Sequence, residues 1–388
     1  MNDFDYLKKG EVYLDGACQS LRPRPVIDTL NKYYTEHNSC GERVKYKWGV
    51  VTDEKVEATR EKVLKFLGLK AKKYTVSFTL NTTYGINLIL SQIKAKNFDK
   101  VMTSDIEHNS PFLGTIGFAD RTGLPREVMK REEDGSIKIP DYDFKKAIVV
   151  VNSVSNFDGS RKLRNIKELV KAVHKAGGII IIDAAQGMAH SAEILNGVEV
   201  DAICFSAHKM YAPSLGVIVW RDELDKYLEP WWLGGGMVDD VKKDSFVLSA
   251  ENKEHRYTRF ESGLQAWGEI VALGAAIDWL SHVSKKDWQN LENNCQELFD
   301  FLNGSSKVKM INNEPSSTMS FYVEGLDSHL LGAALSRENI MARTGYFCAH
   351  YYLDHVLKLP PLVRFSLGLH NRPEDIEKVK KVMKKIIY

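Results

Sequence analysis

Hydrophobic and polar positions along this chain switch between two periods. Gly177-Gly178 is followed by four consecutive isoleucines, Ile179 to Ile182, and then by Asp183. An unbroken β-branched run reads as a strand buried on both faces, here presenting a carboxylate at its C-terminal end. Ala202 to Phe205 reads as a second strand and runs into Ser206-Ala207-His208-Lys209. Further strands are predicted at Tyr74 to Phe78, Lys100 to Thr103, Ala147 to Val151 and Gly216 to Trp220. Between them the spacing becomes helical, with Ile86, Leu88, Ile89 and Leu90 in one segment and Leu169, Val170 and Val173 within Asn165 to Ala176. Strands alternating with helices from about residue 74 to 206 predict a mostly parallel sheet covered on both faces. The link from Lys209 to Gly216 is too short for a helical crossover, so the strand at Gly216 is expected to be antiparallel to its neighbour.

The flanks follow other patterns. Tyr13-Leu14-Asp15-Gly16 is a short extended piece ending in a turn, and Pro25 opens a helix through Tyr34. Thr35 to Thr52 lacks periodicity and reads as a long loop, whereas Asp53 to Leu67 is an amphipathic helix stopped by Gly68. Trp231 to Tyr257 is a long excursion, and Ser262 to Trp279 is a helix rich in small residues. The composition then changes. A helix at Lys286 to Leu302, strands near Val308 and at Thr318 to Val323, a helix at Ser328 to Arg337, strands at Ile340 to Arg343 and Val363 to Leu367, and a helix at Pro373 to Ile387 predict a separate α+β unit.

Length and composition narrow the field. The 388 residues, 44% of them hydrophobic, suffice for one large core with a smaller second domain. A net charge of +2 carries no global footprint for nucleic acid. The basic run Lys378 to Lys385 alternates with Ile376, Val379, Met383 and Ile386 at helical spacing, so its lysines read as a solvated face. The first twenty residues lack the pattern of a signal peptide, and no apolar run approaches the roughly 20 residues of a membrane span. Five cysteines without a CxxC pair argue against a disulfide framework or a metal site and for a reducing cytoplasm.

The candidate chemistry lies at the strand ends, where open α/β sheets bind their ligands. Asp183, Gln186, Ser206, His208 and Lys209 are expected on one rim. A carboxylate paired with a lysine suits pyridoxal 5'-phosphate (PLP): the lysine forms a Schiff base, and the acid keeps the pyridine nitrogen protonated. Taken singly, Asp183 could equally cap a helix and Lys209 be a solvated lysine. Thr82-Thr83 lies where a strand turns into a helix, a ready anion site for the phosphate or an ordinary N-cap. His108 follows another strand end, where it could lie flat on a cofactor ring or cap the next helix. Cys348 sits in the polar, aromatic loop Arg343-Thr344-Gly345-Tyr346-Phe347-Cys348-Ala349-His350. Positive neighbours there would raise its thiolate fraction. Cys204, inside an apolar strand, reads as core, and Cys18, Cys40 and Cys295 lack comparable surroundings.

With these stretches in view, the chain resembles the fold-type I PLP enzymes of the class V aminotransferase family, and among them the Suf-type (group II) cysteine desulfurases. The resemblance runs from Tyr13-Leu14-Asp15 to Arg364-Phe365-Ser366-Leu367 and the last helix. Phe205-Ser206-Ala207-His208-Lys209-Met210-Tyr211-Ala212-Pro213 is similar to the Schiff-base lysine signature, and Asp183-Ala184-Ala185-Gln186 to the ring-nitrogen aspartate with the glutamine near the phenolic oxygen. Thr82-Thr83 resembles the phosphate turn, Glu107-His108 the ring-stacking histidine, and Val154-Ser155-Asn156 the asparagine near substrate and phenolic oxygen. The Cys348 loop is similar to the short desulfurase cysteine loop, with Arg343 expected beside the substrate, and Arg364 takes the place of the carboxylate-binding arginine. Three features depart from the pattern. Asn81 replaces a glycine, Leu264 replaces a threonine that reaches the neighbouring subunit's phosphate, and Tyr346-Phe347 replaces two histidines.

The resemblance implies a large domain with a mostly parallel seven-stranded sheet over residues 16–280, and a small α+β domain from residues 1–15 and 281–388. It implies a homodimer that converts L-cysteine to L-alanine and leaves a persulfide on Cys348 for a sulfur-acceptor protein or thiol. Lys209, His108 and Cys348 would be catalytic. Thr82, Thr83, His108, Asn156, Asp183, Gln186, Ser206, His208 and Lys209 would hold PLP, and Asn156, Arg343 and Arg364 the substrate. An aminotransferase, epimerase or β-lyase acting on another amino acid would share the cofactor but need no thiol. A scaffold with no activity would need none of these groups.

Overall fold

A computed structural model describes residues 3–41 and 44–387. Seven strands form the large sheet: β1 (Tyr74–Thr79), β2 (Lys100–Ser104), β3 (Arg126–Met129), β4 (Ala147–Asn152), β5 (Ile179–Asp183), β6 (Ala202–Ser206) and β7 (Gly216–Arg221). Their order is β1-β7-β6-β5-β4-β2-β3. β7 runs antiparallel to both neighbours, as its short connection predicts, and the remaining pairs are parallel. Every residue of β4, β5 and β6 is buried, which is why these strands read as unbroken apolar runs. Helices cover both faces, and two apolar clusters result. Val149, Val151, Ile180, Ile182, Ile203 and Phe205 point into one; Ile148, Val150, Ile179, Ile181, Ala202 and Cys204 point into the other. The period-2 alternation of side chains divides each strand between them.

Register aligns the C-terminal ends on one rim. Asn152 is opposite Asp183, Asp183 opposite Cys204, and Ser206 opposite Gly216. Gly216 also lies against the turn after β1: a Cβ there would stand 2.4 Å from the Asn81 nitrogen, a contact that no side chain tolerates. This close approach brings the start of the helix Thr82–Gln92 beside Ser206.

A second sheet is antiparallel, with β8 (Val308–Met310), β9 (Thr318–Val323), β10 (Arg343–Gly345) and β11 (Leu362–Ser366) in the order β8-β9-β11-β10. The N-terminal segment joins this half: Val12–Tyr13 pairs in parallel with Ile340–Met341, and Asp15 bridges to Ser366. Several boundaries differ from expectation. The loop after residue 35 is shorter, because a helix begins at Lys47 and runs to Phe66. The helix expected from Ser262 begins at Trp267. The strand expected at Ile340 to Arg343 divides, its first half pairing with the N-terminus and Arg343–Gly345 with β11. The excursion after Trp231 contains a small exposed hairpin, Val238–Val241 with Phe246–Leu248. Among the described residues, no helix is long and apolar enough to cross a membrane.

A buried ion pair ties the loop before Leu264 to the large sheet. Arg60 grips Glu261 through two nitrogens at 2.7 and 2.9 Å, and Glu261 accepts the Phe78 N–H at 2.7 Å. Removing one partner of such a pair typically costs about 3–5 kcal/mol, since the other charge is left buried.

Candidate active site

The rim opens into a cavity of about 350 Å³, and all twelve residues singled out from the sequence line it: Thr82, Thr83, His108, Asn156, Asp183, Gln186, Ser206, His208, Lys209, Arg343, Cys348 and Arg364. They come from both sheets and their connections, so the cavity exists only in the folded chain.

One end is built for an anion. Asn81, not a threonine, caps the helix Thr82–Gln92 by accepting the Tyr84 N–H at 2.9 Å. The Thr82 N–H donates to Ser206 Oγ at 2.9 Å, and the two hydroxyls lie 2.7 Å apart. The Thr83 hydroxyl lies 2.6 Å from Ser110 Oγ. Four N–H groups at a helix start lack intrahelical acceptors, and the positive end of the helix dipole adds to them. An anion lodged there would gain hydroxyl and N–H donors together.

In the middle, Asp183, His108 and Lys209 meet. Asp183 ends β5, buried, and accepts the Ala185 N–H at 2.9 Å. Burial raises its carboxyl, while that N–H and the Lys209 charge oppose the shift. A cationic partner at the ring position would favour the ionised form. Burial lowers the Lys209 ammonium, against the attraction of Asp183, so its amine is released more readily than that of a solvated lysine. His108 caps the helix Asn109–Thr122: its Nδ1 accepts the Ser110 N–H at 3.0 Å, which leaves the ring hydrogen to Nε2. Burial, with Lys209 and Arg364 nearby, lowers its pKa to about 4, so the ring is a neutral, flat surface at physiological pH. Both readings of His108, cap and cavity-lining ring, hold together. His208 is likewise lowered to about 4, by burial and by Lys209. A phosphorylated heteroaromatic aldehyde with a basic ring nitrogen fits this donor set from end to end.

The far end gathers the second sheet. Arg343 and Arg364 face each other across β10 and β11, an unfavourable pairing of like charges. Asp15 relieves it, lying 2.9 Å from Arg343 Nη2 and 3.2 Å from Arg364 Nη2. Arg364 Nη1 also donates to the Asn156 carbonyl at 2.9 Å, and the Phe347 ring lies over the guanidinium at 4.8 Å. Three of its five N–H groups remain for a ligand, among them the unpartnered Nε. Gln186 donates to the Ala17 carbonyl at 2.7 Å and so ties the N-terminal turn to the rim.

Cys348 is exposed, at φ +59°, next to Phe347 at φ +49°. Arg343, a positive neighbour of Cys348 in sequence, contacts Asp15 and the sulfur of Cys18. His350 contacts the Asn109 amide at 3.3 Å. Cys204 is core as expected, its thiol pushed well up by burial. Sequence reasoning passed over Cys18 and Ser110, both of which line the cavity. Ser110 is recoverable only as the second residue after His108, at a helix start, where serine serves N–H groups and side chains alike.

A profile described as aminotransferase class-V matches residues 12–379. The chain is 26% identical over 378 residues to a probable cysteine desulfurase of Vibrio cholerae, covering 95% of this chain and 91% of the relative. It is 27% identical over 387 residues to a probable cysteine desulfurase of Pyrococcus abyssi, covering 97% and 94%. The solved apo structure of the cysteine desulfurase from Thermococcus onnurineus NA1 superposes with a TM-score of 0.86 at 27% identity, over 97% of this chain and 94% of that one. The match over nearly the whole chain, on a mainly parallel seven-stranded sheet with a lysine and an aspartate at its rim, makes this chain a member of the class-V aminotransferase family.

Proposed function

We propose that the protein is a PLP-dependent L-cysteine desulfurase, and the observation that carries the reading is a thiol, Cys348, in one cavity with Lys209, Asp183 and Arg364. The relatives named as cysteine desulfurases support the same reading. PLP, when bound, supplies an electron sink for charge developing at the substrate α-carbon.

The chain's own residues do the rest. Thr82, Thr83, Ser206 and the helix start hold the phosphate, with His208 on the same side. Asp183 holds a proton on the ring nitrogen, while Gln186 and Asn156 border the phenolic oxygen. His108 keeps a neutral ring against the cofactor face. Lys209, its amine favoured by burial, anchors the cofactor and then carries the α-proton. Arg364 holds the substrate carboxylate with its remaining N–H groups, and Arg343 adds positive charge beside it. The Cys348 thiolate attacks the substrate sulfur. An S–S bond forms and the substrate C–S bond breaks with its electron pair left on carbon. Two protons then return to carbon, the α-proton from Lys209 and the one Cys348 shed on becoming a thiolate, so that alanine leaves and Cys348 keeps a persulfide for an acceptor protein or thiol.

We read residues 16–280 and residues 1–15 with 281–388 as two domains that meet at this cavity. We also read the protein as a homodimer. Trp231, Trp232, Leu233, Leu264 and Leu80 are all exposed. Trp232 packs edge-on to Tyr84 at 6.4 Å, next to the phosphate turn, and Gly263 N–H bonds the Gly235 carbonyl at 2.7 Å. This apolar patch therefore lies beside the anion end, where a second subunit would cover it. One observation favours a thiol-independent reaction on another amino acid instead: Arg343 faces Cys18 rather than Cys348.

The test is product analysis. PLP-loaded protein given L-cysteine and a reductant should release alanine and sulfide in equal amounts. Pyruvate with ammonia, or amino-group transfer without sulfide, would support the other reading.

A further inference from the structure

A second thiol shares the cavity with Cys348, and the mechanism above leaves it idle. Cys18 lines the same cavity as Cys348, and its sulfur accepts a hydrogen bond from Arg343 Nη2. The positioning is built in: Gly16 N–H bonds the Ser366 carbonyl, Ala17 N–H bonds Ser366 Oγ at 3.0 Å, and Gln186 holds the Ala17 carbonyl. Both Cys18 and Cys348 lie close enough to Lys209 to act on its charge. The remaining thiols are elsewhere, Cys204 and Cys295 in the core and Cys40 on the surface. Arg364, only 3% exposed, also lines this cavity and has an unpartnered Nε donor. A sulfur atom bearing charge would meet cation and N–H donors here rather than apolar surface.

We propose that Cys18 is a second sulfur carrier, taking the outer sulfur from the Cys348 persulfide; this rests on the desulfurase reading. The Cys18 thiolate attacks the terminal sulfur of Cys348–S–SH. A Cys18–S–SH bond forms, the S–S bond at Cys348 breaks, and its electron pair stays on Cys348 as a thiolate. One thiolate and one persulfide are consumed and one of each is formed, so no oxidant, reductant or net proton is required. Arg343 holds the Cys18 sulfur before transfer and, through Asp15, stays fixed to Arg364. The consequence is that Cys348 is free for a second substrate molecule before any acceptor arrives.

Peptide mapping tests the step. PLP-loaded protein is mixed with excess L-cysteine without reductant, alkylated at intervals and digested. In the wild type, extra sulfur is expected first on the Cys348 peptide and then on the Cys18 peptide. The initial burst of alanine, ahead of the slower turnover in which excess cysteine itself accepts sulfur, should reach about two per chain, against about one in Cys18→Ser and Cys18→Ala. Cys348→Ser should leave both peptides without extra sulfur, and the exposed Cys40 peptide reports non-specific sulfur. Sulfur on Cys348 but never on Cys18 would overturn the relay and leave the desulfurase reading intact, whereas sulfur on neither would overturn that reading itself. A Cys18 persulfide in Cys348→Ser, or equal labelling of Cys40, would also overturn the relay.

Discussion

The side-chain amide of Asn156 donates to the carbonyl of Phe347 at 2.6 Å, and so fixes the loop that carries Cys348. On the other side, the Asn109 N–H donates to the Cys348 carbonyl, also at 2.6 Å. Phe347 and Cys348 both adopt left-handed backbone angles, which cost non-glycine residues roughly 1–2 kcal/mol each. The two bonds offset that cost. Because the Asn156 carbonyl also receives Arg364, one residue joins the thiol loop to the arginine proposed for the substrate carboxylate.

Asn156→Ala should therefore loosen the loop while PLP still binds. Loss of one such bond is worth about 1–3 kcal/mol, or roughly 5- to 150-fold in the rate of sulfur transfer. Rapid-quench measurement of persulfide formation, beside the PLP content, checks this. A wild-type rate would mean that the loop holds its own conformation.

Asp183→Asn should retain PLP and lose turnover by at least about two orders of magnitude, some 3 kcal/mol of transition-state stabilisation. In the proposed site the buried carboxylate would act on ring charge, whereas the hydroxyls and helix start at Thr82 and Thr83 would hold the phosphate. PLP titration and steady-state rates together separate the two effects. Undiminished rates would show that another group protonates the ring.

The His108 imidazole should stay neutral down to about pH 4. An unfolded chain takes up this proton near pH 6.5, so between those values the unfolded state binds more protons. The contribution of this group to stability accordingly falls as pH falls from about 6.5 to 4. NMR titration of the His108 ring in PLP-free protein, assigned with His108→Gln, reads it directly. A midpoint near 6.5 would contradict the burial argument.

Leu264 is 79% exposed in a single chain and cannot donate a hydrogen bond. If the patch with Trp231 and Trp232 is the subunit contact, Leu264→Asp should weaken dimerisation by about tenfold or more, the cost of burying an unpaired charge. Sedimentation across a concentration range measures it. A wild-type monomer at all concentrations would refute the dimer.

Much of this was legible in the sequence where side chains alternate against a core. Thr318–Val323, Ser328–Arg337 and Pro373–Ile387 form as predicted, because strand and helix periods there are unmixed and Asp327 caps the first of the two helices. The rim was legible because Asp183 and Lys209 end or follow wholly buried strands. The β3 strand was missed because only Met129 of its four residues is buried, which leaves no period to detect. The helix start at Lys47 has no side-chain cap and contains Gly49, so nothing local announces it. Cys18 was set aside because its neighbours in sequence, Ala17 and Gln19, carry no charge. The arginine that touches it is 325 positions away. Arg343 is near Cys348 in sequence, but its ion-pair partner in space, Asp15, is 328 positions away and equally invisible in the sequence.

The most direct test of the account is Cys348→Ser given L-cysteine. Serine is a poor nucleophile toward sulfur at neutral pH, yet PLP loading and cysteine binding use no thiol. The variant should bind PLP, change its visible spectrum on adding cysteine, and release neither alanine nor sulfide, while the wild type releases both in equal amounts. Full activity of Cys348→Ser on cysteine or any other amino acid would contradict the account.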